Sequence, residues 1–335
     1  MIPSLLDCTL RDGAHVNNGF FTSKNATSIL NGLSNANIDF IEAGFLEPAS
    51  ARTDTTYFAS IGDFEEFYKN IHKQNSQIGL MLRTDRCSLS TLQHSGILDF
   101  VRIAFYPEHG PSVLKYAEKA LSLNYDVYLN LIGITNYDNK EIEKILQLFN
   151  GLSISGVSIV DTYGCLDLNE LNNLVDLFDQ SISSDLKLGL HLHENLSSSM
   201  HLISAFHSKQ LVRDKVLDAS LAGMGRIPGN VPTELVADFL NKFGSKDYLI
   251  DILFNTALSC VYPYMKVNPW GYMPIYAYSA MLRIDRTYPE FFQTYGLNDS
   301  ENIKCQSWIK RNVKEKRFSL DAASLAIDAQ GYPEK

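Results

Sequence analysis

No uninterrupted apolar run in the chain reaches the roughly 18 residues that a membrane-crossing helix needs, and Met1-Ile2-Pro3 leads into the first apolar stretch without a basic, then apolar, leader pattern. Positive charge is scarce as well. The 29 Lys and Arg stand against 38 Asp and Glu, for a formal net charge of -9. Without a basic stripe to displace counterions from phosphates, a nucleic-acid partner is not expected. Cys8, Cys87, Cys165, Cys260 and Cys305 are odd in number, widely spaced and free of any C-x-x-C pair. That excludes a disulfide framework and predicts reduced thiols in a cytoplasmic protein with no membrane partner. Internal repeats and low-complexity linkers are also missing. What is present is a 45% hydrophobic content over 335 residues, enough for one large barrel with an appendage or for two ordinary domains.

In order, the chain alternates short β-branched or apolar runs with longer stretches of helical spacing, the pattern of a parallel α/β fold. Strands are predicted over Ser4–Thr9, Ile38–Gly44, Gln77–Leu82, Phe100–Phe105, Val127–Ile132, Gly156–Asp161, Leu186–His193 and Val216–Ala222. Helices are predicted over Ser23–Asn35 with Ser23 as cap, Phe64–Lys73, Leu89–His94, Ser112–Leu123, Asn139–Phe149, Leu168–Gln180, Leu196–His207 and Thr233–Phe243. Eight such pairs suit a (β/α)8 TIM barrel better than an open doubly wound sheet. The barrel is assigned to residues 1–244. A mainly helical, aromatic-rich extension over 245–335 is expected to pack on it, its tyrosines and Trp270 covering the barrel or a homodimer interface.

Two strand ends carry the chemistry. Asp7-Cys8-Thr9-Leu10-Arg11-Asp12-Gly13-Ala14-His15 closes the first strand, and His191-Leu192-His193 closes a late one. Residues i and i+2 of a strand share a face, so both imidazoles converge. Asp12, His191 and His193 therefore offer one hard oxygen and two nitrogens to a divalent metal. Manganese tolerates carboxylate, imidazole and water together best; cobalt, zinc and iron(II) also accept the set, and magnesium alone would not favour two imidazoles. Arg11 is placed to stabilise a developing oxyanion, or else to pair with Asp7, Glu42 or Asp161. Glu42 and Asp161 close apolar runs and are read as orienting Arg11 or the metal ligands. Asn195, after the paired histidines, is a further orienting partner. His15 has the pKa range of a general base. Leu221–Asn230, rich in glycine, reads equally as an anion-binding corner or a tight turn.

Taken together, D-x-T-L-R-D-G-x-H at Asp7–His15, H-x-H-x-N-L at His191–Leu196, and D-A-S-L-A-G-M-G with a following G-N at Asp218–Asn230 resemble the DRE-TIM metallolyases, within them the 4-hydroxy-2-oxovalerate aldolase branch. The resemblance implies a divalent metal on Asp12, His191 and His193, an enolate steadied by Arg11, and His15 as base. Trp270-Gly271-Tyr272 to Tyr276 looks like the aldolase G-Y-x-x-x-Y region, implying a tyrosine near substrate, Tyr272 in preference to Tyr276. Val160-Asp161-Thr162-Tyr163-Gly164 is closer to the synthase and lyase relatives, and the tail after Tyr288 is unlike that of the aldolases. An aldehyde dehydrogenase partner is accordingly not assumed.

The expectation is a metal-dependent aldolase cleaving or forming a 4-hydroxy-2-oxo acid from a 2-oxo acid and an aldehyde. The alternatives are a Claisen-type acyl-CoA lyase or synthase, an iron(II) oxygenase using the same ligand set, and a non-catalytic metal-binding barrel serving an assembly.

Overall fold

The computed structural model describes residues 2–244, 246–314 and 317–332. Positions 1, 245, 315–316 and 333–335, on which the chain start, the expected domain boundary and parts of the expected tail fall, lie outside them. The apolar runs become parallel strands β1 Ser4–Asp7, β2 Phe40–Leu46, β3 Tyr57–Phe58, β4 Gln77–Arg83, β5 Phe100–Phe105, β6 Asp126–Leu131, β7 Gly156–Asp161, β8 Lys187–Leu192 and β9 Lys215–Ala219. Their order is β1-β9-β8-β7-β6-β5-β4-β2, closed by β1 pairing β2 through Leu6 opposite Phe40. The two-residue β3 adds to the edge of β2. The fold is an eight-stranded TIM barrel with helices between strands and further helices at the C-terminal end.

Helices α1 Ser23–Asn35, α2 Ile61–Phe67, α3 Gly110–Ser122, α4 Asn139–Gln147, α5 Leu168–Ser181, α6 Ser199–Ser208 and α7 Thr233–Asn241 surround it. The expected helix over Leu89–His94 is instead a single 3-10 turn, Leu89–Thr91. The segment is rich in Ser and Thr, and the Ser95 hydroxyl accepts from the Ile97 and Leu98 amides, offering the backbone a competing turn. Thr22, not Ser23, caps α1 by accepting from the Asn25 amide. Ser60 caps α2, starting it earlier than apolar spacing alone suggests.

Period-two alternation explains the barrel's layering. On β5, Val101, Ile103 and Phe105 face the helices in the main core, while Phe100, Arg102 and Ala104 point inward. Full burial of each outward apolar side chain stabilises by about 1.5–3 kcal/mol. At the barrel's floor, Leu6, Phe40, Phe100, Tyr128 and Val216 form an apolar plug. Above it lies a charged layer, and above that the C-terminal strand ends where the sequence placed the site.

After Gly244 come α8 Ile250–Thr256, a π turn over Ala257–Val261, and α9 Tyr262–Val267. Leu253, Ala257, Val261 and Trp270 join the barrel's main core. The Trp270 indole donates to the Ala222 carbonyl at 2.8 Å. Helices α10 Pro274–Leu282, α11 Thr287–Thr294, α12 Asp299–Asn312 and α13 Leu320–Ala329 enclose a second apolar cluster around Tyr288, Phe292 and Ile309. Among the described residues no helix is long and apolar enough to cross a membrane.

Asp7, at the end of β1, gives a stability prediction. It accepts from the Thr9 amide at 2.8 Å and the Thr233 hydroxyl at 2.6 Å, yet complete burial outweighs both bonds and pushes its pKa from 3.8 to about 6. A carboxyl raised on folding contributes stability that is full below the unfolded pKa and lost as pH rises through the folded one. Asp7→Asn is therefore expected to gain on the wild type by on the order of 2–3 kcal/mol between pH 3.8 and pH 7. Urea midpoints of both proteins across that range check it; parallel curves would contradict it.

Candidate active site

The Asp12 carboxylate and the His191 and His193 imidazoles, all buried, come together at the barrel's C-terminal rim. One ligand atom of each lies within 4.8 Å of the others. The Asp12 Oδ2 to His193 Nε2 distance is 3.7 Å. Two strands far apart in sequence meet because β1 and β8 are both neighbours of β9.

The second partner of each histidine settles which nitrogen faces the site. His193 Nδ1 lies 2.9 Å from the Asp161 backbone carbonyl, which can only accept, so Nδ1 carries the proton and Nε2 presents its lone pair. That Nε2 is buried with no hydrogen-bond partner. Burial lowers the His193 pKa to about 4, helped by the Arg286 charge and opposed by Asp12, leaving the ring neutral as a metal ligand requires. His191 Nδ1 lies 3.0 Å from Asp218 Oδ2, again leaving Nε2 for the site.

Asp12 is held by several donors. Arg11 Nη1 donates to it at 2.6 Å, the Asn230 amide at 2.9 Å and the Arg226 backbone N–H at 3.3 Å. Burial alone would raise its pKa, but Arg11 and His193 together hold it well below the usual carboxylate range. The glycine-rich loop thus serves Asp12. A Cβ on Gly225 would fall 2.4 Å from the Asn230 amide and 2.7 Å from Asp12 Oδ2, so only glycine lets the backbone come this close.

Beneath the three ligands runs a buried ion layer. Arg11 Nε donates to Glu42 at 2.5 Å, Arg102 reaches Glu42 at 3.4 Å, and Arg102 donates to Asp218 at 2.6 Å. Asp12, Glu42 and Asp218 are three carboxylates joined in this layer to the two guanidiniums of Arg11 and Arg102, and Arg286 lines the cavity beside Asp12 as a further cation. An ionised carboxylate and two imidazole lone pairs, one of them on the orphaned His193 Nε2, fit a divalent cation.

Other expected residues have different partners. Arg11 pairs with Glu42 and Asp12, whereas Asp7 binds Thr9 and Thr233. The Asp161 side chain accepts from the Cys165 and Leu166 amides at 3.0 Å each and orients His193 through its backbone carbonyl, not its carboxylate. Asn195 donates to the Tyr276 carbonyl at 3.3 Å, tying the β8 end to α10, and touches neither histidine's free nitrogen. Tyr276 is buried, its hydroxyl donating to Gln293 at 3.1 Å, and Tyr272 is 62% exposed. Neither tyrosine lines the cavity above the ligands.

That cavity, about 150 Å³, has Phe45, Met81, Ala104, Ile132 and Val160 on its apolar side and Arg11, His15, Thr162, Arg83, Arg86, Arg226 and Arg286 among its polar walls. His15 packs edge-on against Phe45 at 5.7 Å. Crowding by protein atoms lowers its pKa, opposed by Asp12 and aided by Arg226, Arg286 and Arg11. Because one side of the ring stays open to solvent, this loss of water is partial, and the direction leaves His15 neutral at pH 7.

Sequence reasoning missed Arg102, Asp218 as a ligand partner, and Arg286. An arginine inside the apolar run Phe100–Phe105 is a signal for Arg102; nothing in the local sequence around Arg286 points to the barrel mouth. Asp218→Asn is expected to weaken metal binding about 10–100-fold, since it withdraws the carboxylate that fixes His191. Titration of the variant with Mn²⁺ checks this, and unchanged affinity would contradict it.

One carboxylate and two imidazoles gathered at the C-terminal strand ends of a TIM barrel lie where such barrels build their active sites and could together hold a metal ion. The HMGL-like family model matches residues 107–257. Oxaloacetate decarboxylase of Mycobacterium tuberculosis is 25% identical over 268 residues, 77% of this chain and 76% of that protein. 4-Hydroxy-2-oxovalerate aldolase 6 of Rhodococcus jostii is 23% identical over 272 residues, 79% and 75% of the two. The N-terminal domain of a candidate aldolase from Bacteroides vulgatus superposes with a TM-score of 0.75 at 24% identity, covering 89% of this chain and 98% of that one. By these matches the chain is similar to the DRE-TIM metallolyases, with 4-hydroxy-2-oxovalerate aldolases among its relatives.

Proposed function

We propose that the protein is a divalent-metal-dependent aldolase that cleaves or forms a 4-hydroxy-2-oxo acid, with residues 1–244 as the catalytic barrel and 245–335 as an extension upon it. The observation that carries this reading is the meeting of Asp12, His191 and His193 beneath a cavity into which Arg11 and His15 also face. Asp12, His191 and His193 would hold the ion, with Mn²⁺ favoured over Mg²⁺, Co²⁺ or Zn²⁺ for a mixed carboxylate and imidazole set. A bound ion supplies a Lewis acid that lowers the energy of the enolate left when C3–C4 breaks.

The chain's own residues do the rest. Arg11 is fixed by Glu42 through Nε and by Asp12 through Nη1, which leaves Nη2 to hydrogen-bond the oxyanion as charge collects there. Neutral His15 takes the proton of the 4-hydroxyl during cleavage and returns it during condensation. The apolar wall of Phe45, Met81 and Ile132 limits water at the carbanion. The five free thiols suit a reducing cytoplasm. Tyr262 and Tyr272, 44% and 62% exposed, are candidates for a homodimer contact.

Oxaloacetate decarboxylation, the activity named for one relative, passes through the same enolate and is the second reading. The test is metal analysis of the purified protein with a pyruvate-release screen of 4-hydroxy-2-oxo acids and oxaloacetate. Pyruvate and an aldehyde from the former support the proposal. Metal bound without carbon–carbon cleavage would leave a binding barrel, and free thiol released from acetyl-CoA with a 2-oxo acid would assign the Claisen alternative.

A further inference from the structure

The charged walls of the cavity are almost entirely neutralised by the protein itself. Arg11 faces Glu42 and Asp12, Arg83 holds Asp85, Arg86 reaches Glu47, and Arg226 grips Glu290 at 2.6 Å. Arg286 differs. It is 4% exposed, its Nη1 donates only to the Arg226 backbone carbonyl at 3.2 Å, and its Nε is buried without a partner. Among the described residues no carboxylate lies within 4.0 Å of its guanidinium, yet it lines the same cavity as Asp12 and His193. Burial and the neighbouring Arg226 bring its pKa down to about 10, so it remains a cation at neutral pH.

Glu290, Asp12 and Asp285 act on it only from a distance, and a buried guanidinium with no carboxylate in contact is unfavourable unless an anion arrives to meet it. The carboxylate and keto oxygen of a 2-oxo acid belong at Asp12, His191 and His193 on the reading above, on which this inference rests. Arg286 enters the cavity from the start of α11, beside Arg226, and is free to take a different group.

We propose that Arg286 is a specificity-determining residue that binds a second anionic group on the substrate, so that the enzyme acts on dianionic 2-oxo acids carrying a distal carboxylate or phosphonate-like group. Arg guanidinium suits both, since its planar fork matches either anion with two parallel hydrogen bonds. The apolar wall accommodates the carbon chain between the two charged ends.

Calorimetric titration of the Mn²⁺-loaded protein tests this without requiring turnover. The probes are 2-oxoglutarate and 2-oxopentanoate, which share a five-carbon chain and differ only in a terminal carboxylate or methyl, with 2-oxo-4-phosphonobutanoate as the phosphorus counterpart. The wild type is expected to bind a dianionic probe at least about tenfold more tightly than 2-oxopentanoate, in keeping with a charge-assisted hydrogen bond; whichever dianion binds tighter identifies the group. Arg286→Gln is expected to bring that ratio near one while affinity for 2-oxopentanoate stays within about twofold, and Arg286→Lys to retain part of the preference. Equal binding of both classes by the wild type, or an equal loss for both in Arg286→Gln, overturns the proposal, the latter because Arg286 would then hold the shared carboxylate. A dianion preference in a protein that cleaves no hydroxy-oxo acid keeps this subsite and removes the aldolase; cleavage without the preference does the reverse.

Discussion

Arg11→Ala is expected to lower turnover at least about a hundredfold, and to leave KM for the 2-oxo acid and the metal content nearly unchanged. The size follows from the loss of a single preorganised donor to a developing oxyanion, which costs about 10²–10³ in rate. The split between turnover and binding follows from geometry. Arg11 commits Nε to Glu42 and Nη1 to Asp12 and, on the proposed mechanism, has Nη2 for the reacting oxygen, so its largest effect is expected where negative charge accumulates. Asp12 retains the Asn230 amide and the Arg226 N–H when Arg11 is removed, and Glu42 retains Arg102. Steady-state kinetics beside metal analysis check the prediction. Normal turnover, or metal lost in step with activity, would contradict the role given to Arg11.

Chelation is expected to abolish cleavage altogether, and Mn²⁺ to restore it. The same ion is expected to raise thermal stability, because whatever binds only the folded state stabilises it by mass action: about 2.7 kcal/mol at a hundredfold excess over Kd. That gain has a physical source in the Asp12 carboxylate and the unpartnered His193 Nε2, which a cation would engage. His193→Gln is expected to lose both the activity and the Mn²⁺-dependent rise in Tm, since it removes the lone pair that now has no other partner. A Tm that climbs equally with Mn²⁺ in wild type and variant would place the ion elsewhere.

The barrel was legible because parallel strands buried on both sides leave apolar runs, and Phe100–Phe105 and Gly156–Asp161 match their predicted bounds. The three ligands were legible for a related reason: the two-residue period of a strand puts His191 and His193 on one face, and Asp12 follows the end of another strand. What failed to show was what depends on assembly. Asp161 reads as a charged side chain at a strand end, yet its backbone carbonyl does the orienting. Asp218 was part of a recognised motif, but its bond to His191 exists only because β8 and β9 are neighbours. Tyr272 has the spacing of a substrate-facing residue, but it stands exposed two residues before α10 and outside the cavity lining. Arg286 depends on where a long tail returns to the barrel mouth, a distance of chain over which local pattern carries no information.

Crystals of the protein soaked with Mn²⁺ and pyruvate, measured by anomalous diffraction at the manganese edge, test the central claim most directly. The account predicts one strong peak bounded by the Asp12 carboxylate and the Nε2 atoms of His191 and His193, with the carboxylate and keto oxygens of pyruvate completing the coordination. A peak that excludes any of these three side chains, or pyruvate bound away from it, would contradict the account.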